Sequence, residues 1–157
     1  MPSADDDETA VSAGGIVVAE VDGTAYVALA MRPDGLWVLP KGGVEDRDAD
    51  MEATAVREVT EELGLAADRL RVGRALEPYV ERTERDGPGD YPEEKVVRLY
   101  LMRCPGDALP DLAPDRAHSR AGWWSLAAPL PMLRYREQRL LLERVAAEDL
   151  GLVLTFE

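Results

Sequence analysis

The stretch from Pro40 to Leu65 places a glycine turn directly ahead of a glutamate-rich helix, and it limits the fold more than any other part of the chain. Gly64, near the end of this stretch, supplies a helix stop. Between Asp50 and Leu63, apolar residues recur every three or four positions, at Met51, Ala55, Val56, Val59 and Leu63. This spacing predicts an amphipathic helix with one buried face.

Three glutamates lie on the other side of this predicted helix. Glu58 and Glu62 are one turn apart and Glu61 is beside them, so we expect the three carboxylates to converge on one exposed patch. Like charges at this spacing repel each other, and oxygen ligands are those that Mg²⁺ and Mn²⁺ prefer. The cluster is interpreted as a metal site, although a solvated helix face in an acidic protein has the same composition.

The glutamates belong to a longer pattern. Gly42 is followed after five residues by Asp48, and the helix then reads Arg57-Glu58-Val59-x-Glu61-Glu62-x-Gly64-Leu65. This array resembles the Nudix signature, in which glycine, five residues and glutamate precede seven residues and R-E-U-x-E-E-x-G-U, with U an apolar residue. The second half matches at every specified position. The first half differs twice, because Asp48 replaces the glutamate and eight residues separate it from Arg57.

The resemblance implies a fold, a reaction and a set of site residues. The fold is an α/β Nudix-type α/β/α sandwich, with a mixed β-sheet between helices, and the reaction is hydrolysis of a phosphoanhydride in a nucleoside diphosphate linked to a group X. Mg²⁺ or Mn²⁺ would be the cofactor, with Glu58, Glu61 and Glu62 as ligands and the Gly42 carbonyl beside them. Glu61 would also accept the proton from water, and Arg57 would orient the glutamates by ion pairing.

Two roles within the signature are less direct. Nudix proteins differ over which acid is the general base, so the choice of Glu61 stays open. Asp48 has a shorter side chain than the glutamate it replaces and is followed by a one-residue insertion in the loop that enters the helix. We therefore predict that Asp48 is not a primary metal ligand.

The candidate substrate-binding residues are four cations and one aromatic residue. Arg32 and Lys41 flank the glycine turn, while Lys95 and Arg98 lie on a predicted strand that Nudix folds place near the cleft. Tyr135 stands in the run L-R-Y-R-E-Q-R, whose arginines could extend a positive track or could be the wet face of the last helix. The same alternative of solvated loop cations applies to the others. Phosphate oxygens are the groups that such cations bind.

The sequence P-K-G-G-V-E narrows the resemblance further. It is closer to the diadenosine polyphosphate and diphosphoinositol polyphosphate hydrolases than to the enzymes that remove oxidised nucleotides. Diadenosine polyphosphates are the expected substrates, with diphosphoinositol polyphosphates and other nucleoside di- or triphosphates as alternatives. An alternative of another class is a non-catalytic Nudix-like module that binds a nucleotide, although such a module usually lacks one of the glutamates.

The charge of the chain narrows the range of partners. A formal net charge of −13 at pH 7 opposes binding to nucleic-acid backbones and anionic membranes, which need basic patches. We therefore expect a small-molecule phosphorylated substrate, and neither a nucleic-acid polymer nor a membrane as partner. The oligomeric state does not follow from the pattern, since a dimer surface and a core look alike in it.

Length and composition predict one domain. The chain has 157 residues, of which 46% are hydrophobic, so we expect a single domain over residues 11–157 after a disordered acidic tail over residues 1–10. No apolar run resembles a signal peptide or a membrane span, so a cytoplasmic location is expected. The only cysteine, Cys104, is predicted to fill the core, and the only histidine, His118, to lie on the surface.

Beyond Pro40 to Leu65, alternation and turn residues predict strands and a second helix. Asp22-Gly23 separates two apolar runs and predicts a β-hairpin, while the adjacent Gly14 and Gly15 indicate a bulge or a close backbone approach. The predicted strands are Val11–Val21, Ala25–Met31, a short strand ending at Pro40, Arg69–Glu81, Lys95–Met102 and Ala121–Leu126, and the second helix spans Met132–Asp149.

Aromatic and acidic residues near the strands complete the expectations. Trp123 and Trp124 are adjacent on a strand, so their rings are predicted to lie on opposite faces. Trp37 is interpreted as a core residue, with substrate contact as the alternative. Glu93 and Glu94 precede the strand that begins at Lys95, and the resemblance makes them candidates for an extra acid that assists the metal or water.

Overall fold

A computed structural model describes residues 10–83 and 93–157 of the chain. The expected acidic tail lies outside the described residues except for its last residue, which begins the first strand. The strands are β1 Ala10–Val21, β2 Thr24–Met31, β3 Trp37–Val38, β4 Lys41–Gly43, β5 Arg71–Ala75, β6 Tyr79–Thr83, β7 Glu93–Arg103 and β8 Arg120–Ser125, and the helices are α1 Met51–Leu63 and α2 Arg136–Val145.

The eight strands form one mixed sheet. Its central path runs β3-β2-β1-β7-β5, with β4 paired to β1, β6 to β7 and β8 to β2. The long central strands β1 and β7 are parallel, from the pair Ala10↔Lys95 to the pair Val18↔Arg103, and the other pairs are antiparallel. One edge of β1 is shared by two strands, since β4 pairs with its first half and β2 with its second.

A helix covers each face of this sheet. On one face, Ala55, Val59 and Leu63 of α1 pack against β1 and β2; on the other, Leu141, Leu142 and Val145 of α2 pack with residues such as Ile16, Leu29 and Leu99. The predicted α/β/α sandwich with a mixed sheet is confirmed. Each buried leucine or valine contributes about 1.5–3 kcal/mol relative to an exposed one, so the two layers hold the helices on the sheet.

The tryptophans lie as their spacing predicts. Trp124 packs on the α2 face and Trp123 on the α1 face. Trp37 packs edge-on against Trp124, with ring centroids 5.2 Å apart, so it is partly buried against the core.

Glycines set two backbone positions near the start of the sheet. The predicted hairpin joins β1 and β2 through Asp22 and Gly23, whose φ angles are 51° and 81°. At Gly14, a Cβ atom would lie 1.9 Å from the Pro40 carbonyl oxygen, and the neighbouring Gly15 N–H donates to that oxygen at 3.1 Å. The close approach predicted for this glycine pair is what lets Pro40 and β4 lie against β1.

Three sequence-based element boundaries are wrong. The expected glycine turn at Lys41–Gly43 is strand β4, because pairing with β1 satisfies its backbone. The strand expected over Arg69–Glu81 is broken at residues 76–78, where Pro78 has no N–H for the ladder. The second helix begins only at Arg136, because backbone groups before it are bonded to other segments, as in the bond from Leu130 N–H to Thr155 O, 2.9 Å long.

After Val145 the helix widens into a π-type turn over Ala146–Leu150. Within the described ranges, no helix combines the length and the apolar character that spanning a membrane requires.

Candidate active site

Helix α1 is fixed at both of its ends. Asp50 precedes it in extended conformation, and its Oδ1 accepts the Ala53 N–H at 2.8 Å. Gly64 ends it in the left-handed conformation with φ 71°, and its N–H donates to Thr60 O at 3.0 Å. The predicted helix start and stop are confirmed, and they set which way the glutamates face.

The three glutamates of α1 do not share one exposed patch. Glu61 is 46% exposed, whereas the side chains of Glu58 and Glu62 are 13% and 6% exposed. Among residues 10–83 and 93–157, no group of three or more His, Cys, Asp or Glu side chains is gathered as metal ligands. The expectation of a convergent exposed triplet is wrong, because Glu61 turns outward to Arg47 and Arg57 while Glu62 turns into the protein.

The absence of a side chain at Gly42 makes room for the Glu58 carboxylate. A Cβ atom on Gly42 would lie 2.1 Å from Cδ of Glu58, so only glycine leaves room for this carboxylate beside β4. Burial raises the pKa of Glu58, and the Arg57 guanidinium opposes that rise. The pairing of a glycine strand with a half-buried carboxylate accounts for the first part of the sequence pattern in steric terms.

Glu62 is a buried carboxyl group with an unused oxygen. Its Oε2 atom makes no hydrogen bond within the described residues. Burial, with the negative charges of Glu58 and Asp115, raises its pKa to about 9. Two adjacent carboxylates, one with an unpartnered buried oxygen, are a donor set that fits a divalent cation, so Glu58 and Glu62 are the residues that would hold it.

Arg57 links the loop before α1 to the helix. Its Nε and Nη2 donate to the two oxygens of Asp48, each at 2.9 Å, and Nη2 also donates to Gly43 O at 2.9 Å. Its Nη1 donates to Glu58 Oε2 at 3.0 Å. The bidentate pair with Asp48 raises the pKa of Arg57, so its charge is permanent. This geometry brings Arg57 into contact with Glu58, and its orienting role stays a prediction.

Asp48 is engaged by donors on every side. It accepts the Glu45 N–H and the Thr54 hydroxyl, both at 2.8 Å, in addition to the Arg57 guanidinium. These bonds, led by the one from Arg57, hold the pKa of Asp48 well below its usual range. Its oxygens are therefore occupied by the structure of the loop.

We predict that Asp48→Asn lowers the melting temperature but leaves Mn²⁺ affinity within about threefold of wild type, because Asp48 positions Arg57 instead of binding metal. Glu58→Gln, which removes a ligand, should weaken Mn²⁺ affinity much more. Isothermal titration with Mn²⁺ and thermal unfolding measure the two effects. Equal weakening of Mn²⁺ affinity in both variants would show that Asp48 is a ligand.

A pocket of about 290 Å³ adjoins Glu62. The structure brings three of the five predicted substrate-binding residues to this pocket: Arg32, Lys41 and Tyr135. Arg32 Nη1 donates to the Tyr135 hydroxyl at 3.0 Å, and the Lys41 ammonium lies 5.7 Å from the centre of its ring. The Arg134 guanidinium stacks at 4.9 Å from the same ring. The lining consists of Arg32, Pro33, Val38, Leu39, Lys41, Glu62, Ala117, His118 and Tyr135.

The other two predicted cations lie elsewhere on the sheet. Lys95 and Arg98 belong to β7, where Val97 and Leu99 face α2 and Tyr100 and Met102 face α1. Alternation therefore places Lys95 on the α2 face and Arg98 on the α1 face. Neither lines the pocket.

Of the two acids expected beside β7, Glu94 does not join the carboxylates of α1. Glu94 is exposed and pairs with Arg82. The side chain of Glu93 lies outside the described residues. Register, which the sequence alone does not give, decides where these residues stand.

Lys41 forms an ion pair with Glu81, a buried acid that the sequence pattern did not identify. Its ammonium lies 2.8 Å from Glu81 Oε1, and the Glu81 side chain is only 2% exposed. The Tyr79 hydroxyl donates to Glu81 at 3.2 Å and accepts from Gln138 of α2 at 3.1 Å. Gln138 in turn accepts the Leu39 N–H at 2.9 Å. Burial, with the charge of Glu81, raises the pKa of Tyr79, so it stays a neutral donor.

We predict that Lys41→Met lowers the free energy of unfolding by about 3–5 kcal/mol, because it leaves the buried Glu81 carboxylate unpaired. The double variant Lys41→Met/Glu81→Gln should recover most of that loss. Urea unfolding of both variants checks this. If Lys41→Met unfolds within about 1 kcal/mol of wild type, the pair does not carry this stability.

His118 lies at the site, and the prediction of a surface histidine is wrong. The ring is 12% exposed, with Nε2 3.2 Å from Glu62 Oε1 and Nδ1 2.8 Å from Asp115 Oδ1. The loop between β7 and β8 carries it there, a placement that no local pattern signals. Cys104, by contrast, is buried as predicted, and burial raises the pKa of its thiol.

The raised pKa of Glu62 gives a pH-dependent stability in metal-free protein. Between the ordinary value of 4.5 and about 9, the folded protein keeps a proton that the unfolded chain releases, so stability falls as pH rises through this window. In EDTA, the melting temperature of wild type should therefore fall from pH 5 to pH 9 relative to that of Glu62→Gln. Glu52→Gln, at an exposed position of α1, is the control.

If the melting temperatures of wild type and Glu62→Gln change equally with pH across this range, Glu62 is not a buried, protonated carboxyl group. The same Glu62→Gln variant should retain less than about a tenth of wild-type kcat, because it removes a proposed metal ligand.

The fold and this arrangement place the chain in a known class. The family model of the NUDIX domain matches residues 9–145, and the chain belongs to that family. It is 34% identical over 140 residues to the protein named MutT4 of Mycobacterium tuberculosis (strain CDC 1551 / Oshkosh), covering 84% of this chain and 52% of that protein.

The chain is also similar to an RNA pyrophosphohydrolase and to a solved structure. The chain is 31% identical over 90 residues to the RNA pyrophosphohydrolase of Dinoroseobacter shibae, covering 55% of this chain and 51% of that protein. It thus spans about half the length of these curated relatives. A crystal structure of a C. elegans Ap4A hydrolase binary complex shares the fold, with TM-score 0.67, 21% identity and coverage of 92% of this chain and 100% of that one.

Proposed function

We propose that the chain is a Mg²⁺- or Mn²⁺-dependent pyrophosphohydrolase that cleaves phosphoanhydride bonds in small phosphorylated substrates. One observation carries the proposal: the buried Glu62 side chain lines a pocket together with Arg32 and Tyr135, and the Glu58 carboxylate lies next to Glu62 on the same helix. Carboxylates suit a divalent cation, and a guanidinium suits phosphate oxygens. A site divided in this way fits a metal-bound polyphosphate.

The residues divide the proposed reaction between them. A bound divalent cation would neutralise charge on phosphate oxygens and make water more acidic. Glu58 and Glu62 would hold it, and Arg57 keeps Glu58 in place through the bond from Nη1. Glu61 stays the proposed proton acceptor, and its 46% exposure gives it access to water, although it does not line the pocket.

The proposed substrates are diadenosine polyphosphates. Arg32 and Arg134 both contact Tyr135, so two guanidinium groups that can bind a chain of phosphates lie close together beside the pocket. Lys41 contributes less, because Glu81 already neutralises it. The C. elegans neighbour is an Ap4A hydrolase by its title, but at 21% identity it supports the fold alone, so the substrate rests on the pocket.

RNA 5′ ends are a second candidate, favoured by the relative that is an RNA pyrophosphohydrolase. The formal net charge of −13 opposes this reading, since an RNA chain brings a phosphate at every nucleotide. Diphosphoinositol polyphosphates, with dense phosphate and no base, would use the cations without Tyr135.

A competition assay in Mg²⁺ separates these substrates. We expect diadenosine penta- and hexaphosphates to have higher kcat/KM than 8-oxo-dGTP, ADP-ribose, an inositol pyrophosphate or a 5′-triphosphorylated RNA, with ATP among the products. Arg32→Ala should lose more on long phosphate chains than on short ones, because charge-assisted contacts multiply with chain length. Arg71→Ala, an exposed residue of β5, is the matched control.

Higher kcat/KM for any of the other four substrates, or equal losses for Arg32→Ala on long and short chains, would reject the diadenosine polyphosphate assignment. Absence of metal-dependent hydrolysis of every substrate, measured by product formation, would reject the hydrolase itself and favour a nucleotide-binding module.

A further inference from the structure

Residues 104–119, between β7 and β8, form a loop that is tied down along its length. Cys104 N–H donates to Val18 O, Ala113 N–H to Leu63 O at the end of α1, and Ser119 N–H to Met31 O, each at 2.9 Å. The Trp123 indole N–H also donates to Pro110 O at 2.9 Å. The loop therefore has a defined position over the last turn of α1, where Glu62 lies.

Within this loop, Asp115 fixes the ring of His118. Asp115 Oδ1 accepts the Ala117 N–H at 3.1 Å and lies 2.8 Å from His118 Nδ1. The ring is thereby oriented with Nε2 toward α1, 3.2 Å from Glu62 Oε1. With His118 12% and Glu62 6% exposed, this contact is shielded from water. Contacts of this kind are worth more in a dry site than on a surface.

The two oxygens of Glu62 are consequently not equivalent. Oε1 faces the imidazole of His118, whereas Oε2 is buried and has no hydrogen bond within the described residues. A buried carboxylate oxygen without a partner is costly unless something binds it. The direction of the Glu62 carboxylate is thus set by a residue 56 positions further along the chain, outside α1.

We propose that His118 is a positioning residue of the metal site: by holding Oε1 of Glu62 it presents Oε2 to the divalent cation. Asp115 acts through His118, as outer partners orient ligands in metalloproteins. The inference rests on the metal-binding part of the proposed function. It adds a residue from a distant loop to a site otherwise built from α1 and β4.

Two substitutions of similar size test the geometry. The amide nitrogen of glutamine in His118→Gln reaches about as far as Nε2 and can donate to Glu62, whereas that of asparagine in His118→Asn reaches only as far as Nδ1. We expect Mn²⁺ affinity, measured by electron paramagnetic resonance of free Mn²⁺, to fall about 10- to 100-fold in His118→Asn and less than about threefold in His118→Gln. Asp111→Asn, exposed on the same loop, should match wild type.

The melting temperature in EDTA reports whether each variant is folded, and kinetics report which step is affected. For His118→Asn, excess Mn²⁺ should restore kcat, with KM for the phosphorylated substrate unchanged. A variant His118→Asn that is folded and binds Mn²⁺ as wild type does, or one whose only defect is a higher KM for substrate, overturns the proposal.

The wild-type titration separates this inference from the proposed function. If wild type binds no Mn²⁺, the proposed function and the inference fail together. If wild type binds Mn²⁺ and both His118 variants bind it as tightly as wild type does, the inference alone fails.

Discussion

The pairing of Arg57 with Asp48 is the interaction on which the rest of the site depends. Two parallel bonds of 2.9 Å, with a third from Arg57 to Gly43 O, fasten the loop after β4 to the outer side of α1. The remaining nitrogen of the same guanidinium holds Glu58, whose carboxylate fills the space that a side chain at Gly42 would need. Strand, loop and helix are therefore held together by one permanently charged group, which also opposes the rise that burial causes in the pKa of Glu58.

A second series of polar contacts supports the site from the side of the sheet that α2 covers. It runs from the Leu39 N–H through Gln138, Tyr79 and Glu81 to Lys41, and so it connects α2 to the strand beside the carboxylates. Buried chains of this kind are stable only when each member has its partner. Lys41, the cation next to Gly42, is therefore needed to pair the buried Glu81, and less of its charge remains for a substrate.

The local parts of this structure followed from the sequence, and the long-range parts did not. Helix α1 with its stop at Gly64 and the Asp22-Gly23 hairpin each depend on residues near one another in the chain. The adjacent glycines Gly14 and Gly15 signalled a close backbone approach, but not that its partner is Pro40. The partners Glu81 and His118 come from strands and loops far from α1, and only sheet register and loop path bring them there. The prediction that the three glutamates share an exposed patch was wrong for a related reason. Helical periodicity gives the face on which Glu62 lies, but it does not show that another loop covers that face.

The charges around the pocket indicate the form in which a polyphosphate would bind. Arg32, Lys41 and Arg57 are each paired with an acid of the chain, namely Asp34, Glu81 and Asp48. Glu58 shares the Arg57 guanidinium with Asp48, and Glu62, whose pKa is raised to about 9, would give up its proton on binding a cation, within a protein of formal net charge −13. A free polyphosphate would meet repulsion there, whereas its complex with a divalent cation would bring the charge that the two carboxylates lack. In the proposed reaction, metal and substrate would therefore favour each other's binding, because each reduces the repulsion that the other meets.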